Sequence, residues 1–177
     1  DQRRPTRRRS TRSSAKPIVW YRELVTRAPP LPPLRTAVVL PLDANALVGA
    51  IEAAEAGLIA PVLIGPRAAM IAIARAHDVD LTPYPMVSTV ANAPAVAAAR
   101  AVAMARAGEV DAIMKGTLRT DELMHAVVAP ETGLIASSGR RMSHVFVLHV
   151  PRYPRLLLLT DAALNIAPAL EIKRDIV

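Results

Sequence analysis

A short apolar run, a polar turn and a helix-like segment follow one another in the middle of this chain and constrain its fold more than any other stretch. Val110–Met114 has the length of a buried strand, and Asp121–Val128 opens with two acids, as helices often do. The turn between them supplies Lys115, Arg119, two threonines and a glycine. Because parallel sheets hold anions where a strand passes into a helix, the stretch predicts an α/β fold with a phosphate-binding position at the turn.

The chain before this unit alternates in the same way between strand-like and helix-like segments. The predicted elements are, in order, a strand Thr36–Leu42, a helix capped by Asp43 or Asn45 and ended by Gly57, a strand Pro61–Ile64, a helix Arg67–His77, a weak strand Tyr84–Ser88 and a helix Ala93–Ala107. This repetition predicts parallel strands, right-handed crossovers and helices on both faces of the sheet.

The alternation changes after Pro130. The predicted elements there are a loop Gly133–Gly139, two strands Val145–Val150 and Arg155–Thr160 joined as an antiparallel hairpin, and a helical segment from Ala162 onward. The change predicts a first α/β domain over residues 36–130 and the start of a second, truncated α/β domain over residues 131–177.

Residues 1–35 form a basic leader in front of these domains. They carry ten Lys/Arg against two acids, a net charge of +8, whereas residues 36–177 carry a net charge of −1. The leader cannot bury enough apolar surface to offset its ordering entropy, so it is predicted to be disordered. Within it, Ile18–Arg27 could form a short helix, and the cluster Pro29–Pro33 is predicted to be a spacer. An arginine- and serine-rich start is also typical of organellar transit peptides.

Composition narrows the class of protein. The chain has no cysteine, which excludes disulfides and thiolate metal sites, and His77, His125 and His149 are too scattered to predict a metal site. Its uncharged apolar runs are shorter than the roughly 18–20 residues that cross a bilayer. We therefore expect a cytoplasmic protein without metal or membrane contact, which meets nucleic acid only non-specifically through residues 1–35.

Several specific strings, taken together with the lysine–glycine turn, resemble the phosphate acetyltransferase and phosphate butyryltransferase family. These strings are Pro33–Val39, Glu52–Ile59, Pro61–Pro66, Thr132–Leu134, Gly139–Phe146, Pro151–Arg155 and Thr160–Pro168. The resemblance covers residues 33–177 and is closer to the butyryl-type branch than to the acetate-specific one.

The resemblance implies an enzyme that transfers an acyl group between coenzyme A and inorganic phosphate without a metal or a covalent enzyme intermediate. It implies no separate cofactor, since the coenzyme A thioester is a substrate. It also implies a three-layer α/β/α sandwich similar to the isocitrate and isopropylmalate dehydrogenases, and a homo-oligomer formed through the second domain. Complete members are longer than this match. The serine–arginine pair and aspartate that do the chemistry in the family are expected beyond Val177, so no catalytic residue is assigned here.

Candidates for binding phosphate or coenzyme A are the polar residues of the turn and of the later strings. They are Lys115, Gly116, Thr117, Arg119, Thr120, Arg140, Arg141, Ser143, His144, Asp161 and Asn165. In the acetate-specific branch an arginine that holds phosphate follows the Asp-x-Leu step, but Met124 stands there in this chain.

Several of these candidates have a structural alternative. Lys115 and Arg119 could be solvated surface charges, and Thr120 could cap the following helix. His144 could be a structural histidine, and Asp161 with Asn165 could cap the helix after their strand.

Two functions from different classes remain open. The first is a phosphate acyltransferase of acetyl or butyryl type, expected to be an incomplete chain. The second is a non-catalytic fragment that binds an anionic ligand or nucleic acid through its basic leader. A dehydrogenase of the related fold is disfavoured, because no Gly-x-Gly-x-x-Gly fingerprint follows any predicted strand.

Overall fold

The computed structural model describes residues 26, 31–90, 93–135, 142–150, 153, 155–161 and 169–176. The chain divides into two compact units, Asp1–Pro32 and Pro33–Val177. The short helix expected over Ile18–Arg27 lies outside the described residues apart from Thr26, which is helical. None of the helices in the described ranges is long and apolar enough to span a bilayer.

The described part of the second unit contains six strands and five helices. In chain order they are β1 Leu34–Val39, α1 Ala44–Glu55, β2 Ile59–Gly65, α2 Arg67–Ala76, β3 Met86–Ser88, α3 Pro94–Arg106, β4 Ala112–Lys115, α4 Thr120–Val128, β5 Val145–Leu148, β6 Leu157–Thr160 and α5 Leu170–Ile176.

Local signals set the ends of the helices much as predicted. Asp43 caps α1, because its carboxylate accepts the N–H of Ala46 at 2.7 Å, and Gly57 follows the helix with a φ of +72°. Pro94 occupies the first turn of α3, where its missing N–H costs nothing, and Gly108 follows that helix with a φ of +70°.

The first four strands form one parallel sheet in the order β3-β2-β1-β4. Neighbouring residues of the central strand β1 point to opposite faces. Val38 packs with the buried side chains of α1 and α2, while Ala37 and Val39 pack with those of α3 and α4. The expected α/β sandwich, with helices on both faces of a parallel sheet, is therefore confirmed.

An ion pair joins the start of β1 to the segment before β4. The guanidinium of Arg35 donates to both carboxylate oxygens of Asp111, at 2.8 and 2.6 Å, and to the carbonyl of Gly108 at 2.8 Å. The hydrogen bond and positive charge of Arg35 hold the pKa of Asp111 below its ordinary value. This cluster lies at the amino end of both strands, away from the edge where the functional turn was predicted.

The last two strands form a separate antiparallel hairpin, which confirms the predicted topology. Val145 pairs with Thr160 and Leu148 pairs with Leu157. Both strands are shorter than expected, since β5 ends at Leu148 and β6 begins at Leu157. Residues 162–168, where a helix was expected to begin, lie outside the described residues, and α5 is described only from Leu170. The division into domains at residue 130 stays a prediction.

Candidate functional site

The carboxyl ends of β1 and β4 are neighbours, although the two strands are far apart in sequence. The chain leaves β1 for α1 on one face of the sheet and leaves β4 for α4 on the other. Such a change of direction is the topological switch point at which open α/β sheets hold their ligands. The predicted turn after β4 lies at this position.

Hydrogen bonds to the end of β1 fix the shape of this turn. The N–H of Gly116 donates to the carbonyl of Val39 at 2.8 Å, and the N–H and hydroxyl of Thr117 donate to the carbonyl of Leu40 at 2.8 and 3.0 Å. A Cβ on Gly116 would lie 2.2 Å from the Leu40 oxygen, so only glycine fits. The main-chain donors of Gly116 and Thr117 are thus engaged by protein carbonyls rather than presented to an anion.

Leu40 explains why β1 ends earlier than predicted. It is buried and has a φ of +51°, a left-handed conformation that is uncommon for leucine. That conformation turns the chain out of the strand after Val39, whereas the sequence predicted a strand through Leu42. Leu40 was not among the predicted site residues, because leucine, unlike glycine or asparagine, gives no sequence signal for a left-handed conformation.

Lys115 is the last residue of β4, and its side chain folds back over the turn. Its ammonium donates to the carbonyl of Leu118 at 2.9 Å and to that of Gly116 at 3.1 Å, while the residue stays exposed. An ammonium has three N–H donors, so these two contacts leave one for a ligand. The structure thus holds a positive charge in a defined position at the carboxyl edge of the sheet.

Arg119 is engaged by an acid of its own helix. Its guanidinium donates to both carboxylate oxygens of Asp121, at 3.0 and 2.8 Å. The hydrogen bond from Arg119 lowers the pKa of Asp121 below its ordinary value, which favours the ionised carboxylate. A phosphate would have to compete with this carboxylate for the guanidinium.

The start of α4 differs from the capping arrangement that the sequence suggested. Arg119 is the N-cap residue, and its N–H donates to the carboxylate of Glu122 at 2.8 Å. Thr120 is the first residue of the helix and is not the cap, so that alternative for Thr120 is wrong. Since Asp121 and Glu122 both lie in the first turn, they offset the positive end of the helix dipole.

A second group of candidates meets at the open end of the hairpin. The carbonyl of His144 accepts the N–H of Asp161 at 2.7 Å, one register step beyond the pair Val145 and Thr160. The imidazole of His144 stands edge-on to the ring of Phe146, with 4.1 Å between the centroids. Asp161 is nearly buried and has a φ of +54°.

In the sequence analysis His144 and Asp161 belong to separate strings, and their pairing was not predicted. The predicted hairpin contained the signal, because its register brings these two positions opposite each other. Ser143 precedes His144 and is exposed. Arg140, Arg141 and Asn165 lie outside the described residues.

A groove lies between α3 and α4. It has a volume of about 750 Å³ and is lined mostly by alanines, with Arg106, Glu122, His125 and Thr132 as its polar members. Its lining does not include Lys115 or Thr117, so it is separate from the turn at the sheet edge.

Comparison with known proteins gives no matching family model. Curated relatives are found, however. The chain is 49% identical over 154 residues to a phosphate acetyltransferase of Rickettsia typhi, which covers 87% of this chain and 43% of the relative. It is 49% identical over 157 residues to a phosphate acetyltransferase of Rhizobium meliloti, covering 89% and 48%. It is 33% identical over 153 residues to a phosphate butyryltransferase of Clostridium beijerinckii, covering 86% and 49%.

Two facts follow from these relatives. The chain spans about half the length of the curated relatives that it matches. The sequence identity of the chain with the Rickettsia typhi and Rhizobium meliloti acetyltransferases is higher than its identity with the Clostridium beijerinckii butyryltransferase. For these proteins, the expectation that the chain is closer to the butyryl-type branch is wrong.

Proposed function

We propose, since this chain belongs to the phosphate acetyltransferase and phosphate butyryltransferase family, that it takes part in acyl transfer between coenzyme A and inorganic phosphate. The observation that carries the proposal is the 49% identity with two phosphate acetyltransferases over nearly nine-tenths of the chain. The reactants would be acyl-coenzyme A and phosphate, and the products acyl phosphate and coenzyme A.

The proposed reaction places a particular demand on the protein. A phosphate oxygen bonds to the thioester carbonyl carbon, the carbon–sulfur bond breaks, and the sulfur leaves as a thiolate that takes up a proton. Both reactants are anionic, so they repel each other as they approach. A fixed cation that offsets this repulsion and holds phosphate against the thioester would lower the barrier through positioning and charge stabilisation.

Lys115 meets this demand better than Arg119. The two carbonyls of the turn orient its ammonium, and the residue remains exposed at the switch point of the sheet. The guanidinium of Arg119 is occupied on two of its donors by Asp121. We therefore assign phosphate or coenzyme A phosphate binding to Lys115, with Thr117 fixing the turn that carries it.

The finer features expected from the resemblance are part of the same proposal. The strand order β3-β2-β1-β4 with helices on both faces supports a fold like that of the isocitrate and isopropylmalate dehydrogenases. A homo-oligomeric assembly and a cytoplasmic location stay predictions. The alternative function, anion or nucleic-acid binding through the leader, also stays a prediction, because residues 1–25 and 27–30 lie outside the described residues. At its end the predicted disordered leader is wrong, since Leu34 and Arg35 belong to β1.

The test uses a chimera in which the 157 matched residues of the Rhizobium meliloti enzyme are replaced by the corresponding residues of this chain. Acyl phosphate formation is followed as release of free thiol. We expect Lys115→Ala to raise the KM for phosphate or coenzyme A about tenfold or more, because a charge-assisted contact of about 1.5–3 kcal/mol is lost. Lys115→Arg keeps the positive charge and should raise the same KM less. Arg75→Ala, which removes an exposed cation from the last turn of α2, is the matched control and should leave both KM values unchanged.

Two outcomes would count against the proposal at different levels. If both KM values are unaffected in Lys115→Ala, the assignment of the site to this turn is wrong. If the chimera is folded and forms no acyl phosphate from either acetyl- or butyryl-coenzyme A, the acyl-transfer function itself is wrong for this chain.

A further inference from the structure

A second groove, with a volume of about 550 Å³, runs along α2, and no residue of the Lys115 turn lines it. One of its walls is a face of α2, because Arg67, Ile71 and Arg75 are spaced four residues apart and so lie on one side of the helix. The other wall is formed by residues of the segment 79–86, which leads into β3. The volume falls within the range of about 300–1,000 Å³ that is usual for ligand-binding clefts. The α2 groove is therefore large enough to hold a ligand of its own.

Two arginines stand at the ends of the helical wall, and neither has a partner among the described residues. Arg67 and Arg75 are exposed, and their guanidinium groups make no ion pair or hydrogen bond within the part of the chain that the structure describes. Arg119, by contrast, donates to both carboxylate oxygens of its neighbour in sequence. The acid in the lining of the groove, Asp80, accepts the N–H of Thr82 at 2.8 Å instead of pairing with an arginine. The groove thus offers two forked sets of donors to an anionic partner.

The space between the two arginines is apolar. Ile71 is half-buried and Ala74 is buried on the helical wall, at positions between the arginines. The opposite wall contributes the buried Leu81 and the partly buried ring of Tyr84. The middle of the groove therefore favours an apolar side chain, whereas its two ends favour negative charge.

The spacing of the arginines selects the conformation of the partner. Eight residues separate Arg67 from Arg75, so at 1.5 Å per residue their Cα atoms lie about 12 Å apart along the helix axis. In an extended chain the first, third and fifth side chains point to the same side, and the first and fifth are about 13 Å apart. A helical partner is about 10–12 Å across, so 12 Å of its length takes up about 900 Å³ or more, which exceeds the groove. An extended segment with an acid, an apolar residue and a second acid at alternate positions fits both the spacing and the volume.

We propose that the α2 groove is a docking surface for an extended acidic segment of a partner protein, in which two acids four positions apart flank an apolar residue. The acids pair with Arg67 and Arg75, and the apolar side chain packs against Ile71 and Tyr84. Because the groove and the Lys115 turn share no lining residue, docking does not involve the reactants of acyl transfer. Removal of the Arg75 side chain therefore acts on docking alone.

Binding of short synthetic peptides to the 177-residue chain tests the proposal. The alternating peptide has glutamates at its first and fifth positions, leucine at the third and serines at the other two. The control peptide has the same composition but carries both glutamates side by side at its start. Fluorescence polarisation of a dye on each peptide measures the two dissociation constants. We expect the alternating peptide to bind about fivefold more tightly, because only its acids reach both arginines, and to lose affinity with added salt.

Substitutions of the arginines show whether the groove is the surface that binds. We expect Arg67→Ala and Arg75→Ala each to weaken binding of the alternating peptide about threefold to fivefold, since each removes one exposed ion pair. Arg100→Ala is the matched control, because it removes an exposed arginine of α3 that does not line the groove, and it should leave the affinity unchanged. When Arg67→Glu and Arg75→Glu are combined, a peptide with lysines in place of both glutamates should bind more tightly than the alternating peptide.

Each result decides the proposal. A preference for the alternating peptide that survives removal of residues 1–30 and reverses with the charge of the two arginines supports it, whether or not the chain transfers acyl groups. Absence of binding, equal affinities for the two glutamate peptides, or a preference that does not reverse would overturn it. Equal effects of Arg100→Ala and the two groove substitutions would do the same. It would also be overturned if binding were lost with residues 1–30, because the basic leader would then be the binding surface.

Discussion

Replacement of Gly116 by alanine tests the contact that closes the candidate site. Gly116 lies against the end of β1, and an added Cβ would stand 2.2 Å from the Leu40 oxygen and 2.6 Å from the Val39 oxygen. Both neighbours are main-chain atoms at the end of the central strand β1, so no side chain can move aside to make room. The turn must instead shift away from β1.

The cost can be worked from the bonds that such a shift breaks. Three hydrogen bonds join the turn to β1, donated by the N–H of Gly116 and by the N–H and hydroxyl of Thr117. Each such bond contributes about 0.5–1.5 kcal/mol net. Loss of two or three of them lowers the free energy of unfolding by about 1–4.5 kcal/mol, a substantial part of the roughly 5–15 kcal/mol of an ordinary domain.

Gly49→Ala is the matched control for this substitution. Gly49 lies within the exposed side of α1, and an added Cβ would have no neighbour within 4 Å. Alanine favours a helix over glycine by about 0.8–1.0 kcal/mol, so this variant should gain stability. Urea unfolding followed by far-ultraviolet circular dichroism measures both variants, and equal slopes with denaturant show that the unfolded states are comparable. If Gly116→Ala stays within about 0.5 kcal/mol of the parent while Gly49→Ala gains stability, the close approach of the turn to Leu40 is wrong.

Two further predictions concern charge. The hydrogen bonds from Arg35 lower the pKa of Asp111. The ionised carboxylate therefore stabilises the folded state at pH values above the ordinary carboxyl pKa of about 3.9. This contribution to stability is lost as the pH falls through the lowered pKa of the folded state. Asp111→Asn should flatten the dependence of the unfolding free energy on pH over that acidic range; an unchanged pH profile would contradict the role of the pair. The second prediction concerns the basic leader. Retention of the chain on a nucleic-acid column should fall steeply with added salt, because such binding depends on counterion release, and it should disappear when residues 1–30 are removed. Retention of the shortened chain would show that residues 31–177 bind the nucleic acid instead.

The helix ends could be predicted from the sequence because each depends on one or two neighbouring residues. Asp43 accepts the N–H of Ala46 within its own turn, and Gly57 and Gly108 adopt the left-handed conformation that side chains disfavour. The parallel direction of the strands was predictable for a similar reason, since strands that alternate with helices leave few other connections, but the order β3-β2-β1-β4 was not predicted.

The details of the candidate site could not be predicted because they depend on residues far apart in the chain. The end of β1 at Val39 follows from the left-handed Leu40, whose carbonyl is bonded by Thr117, 77 residues later. The folding back of Lys115 onto the Leu118 carbonyl depends on the path of the whole turn. Charge and periodicity identified the right segment, but they carry no information on which partner a cation selects.

The pairing of β1 with both β2 and β4 also bears on the order in which the chain can fold. Leu34 of β1 pairs with Ile59, whereas Thr36 pairs with Ala112, so the second contact closes a loop about three times as long. The added entropy of closure is only about 1 kcal/mol, but it favours β1 and β2 as the earlier pair. In a chain growing from a ribosome the difference is larger, because β4 does not yet exist when β2 emerges. The turn of Lys115 is then expected to take its shape after β1, β2 and β3, against a sheet that these strands have already formed.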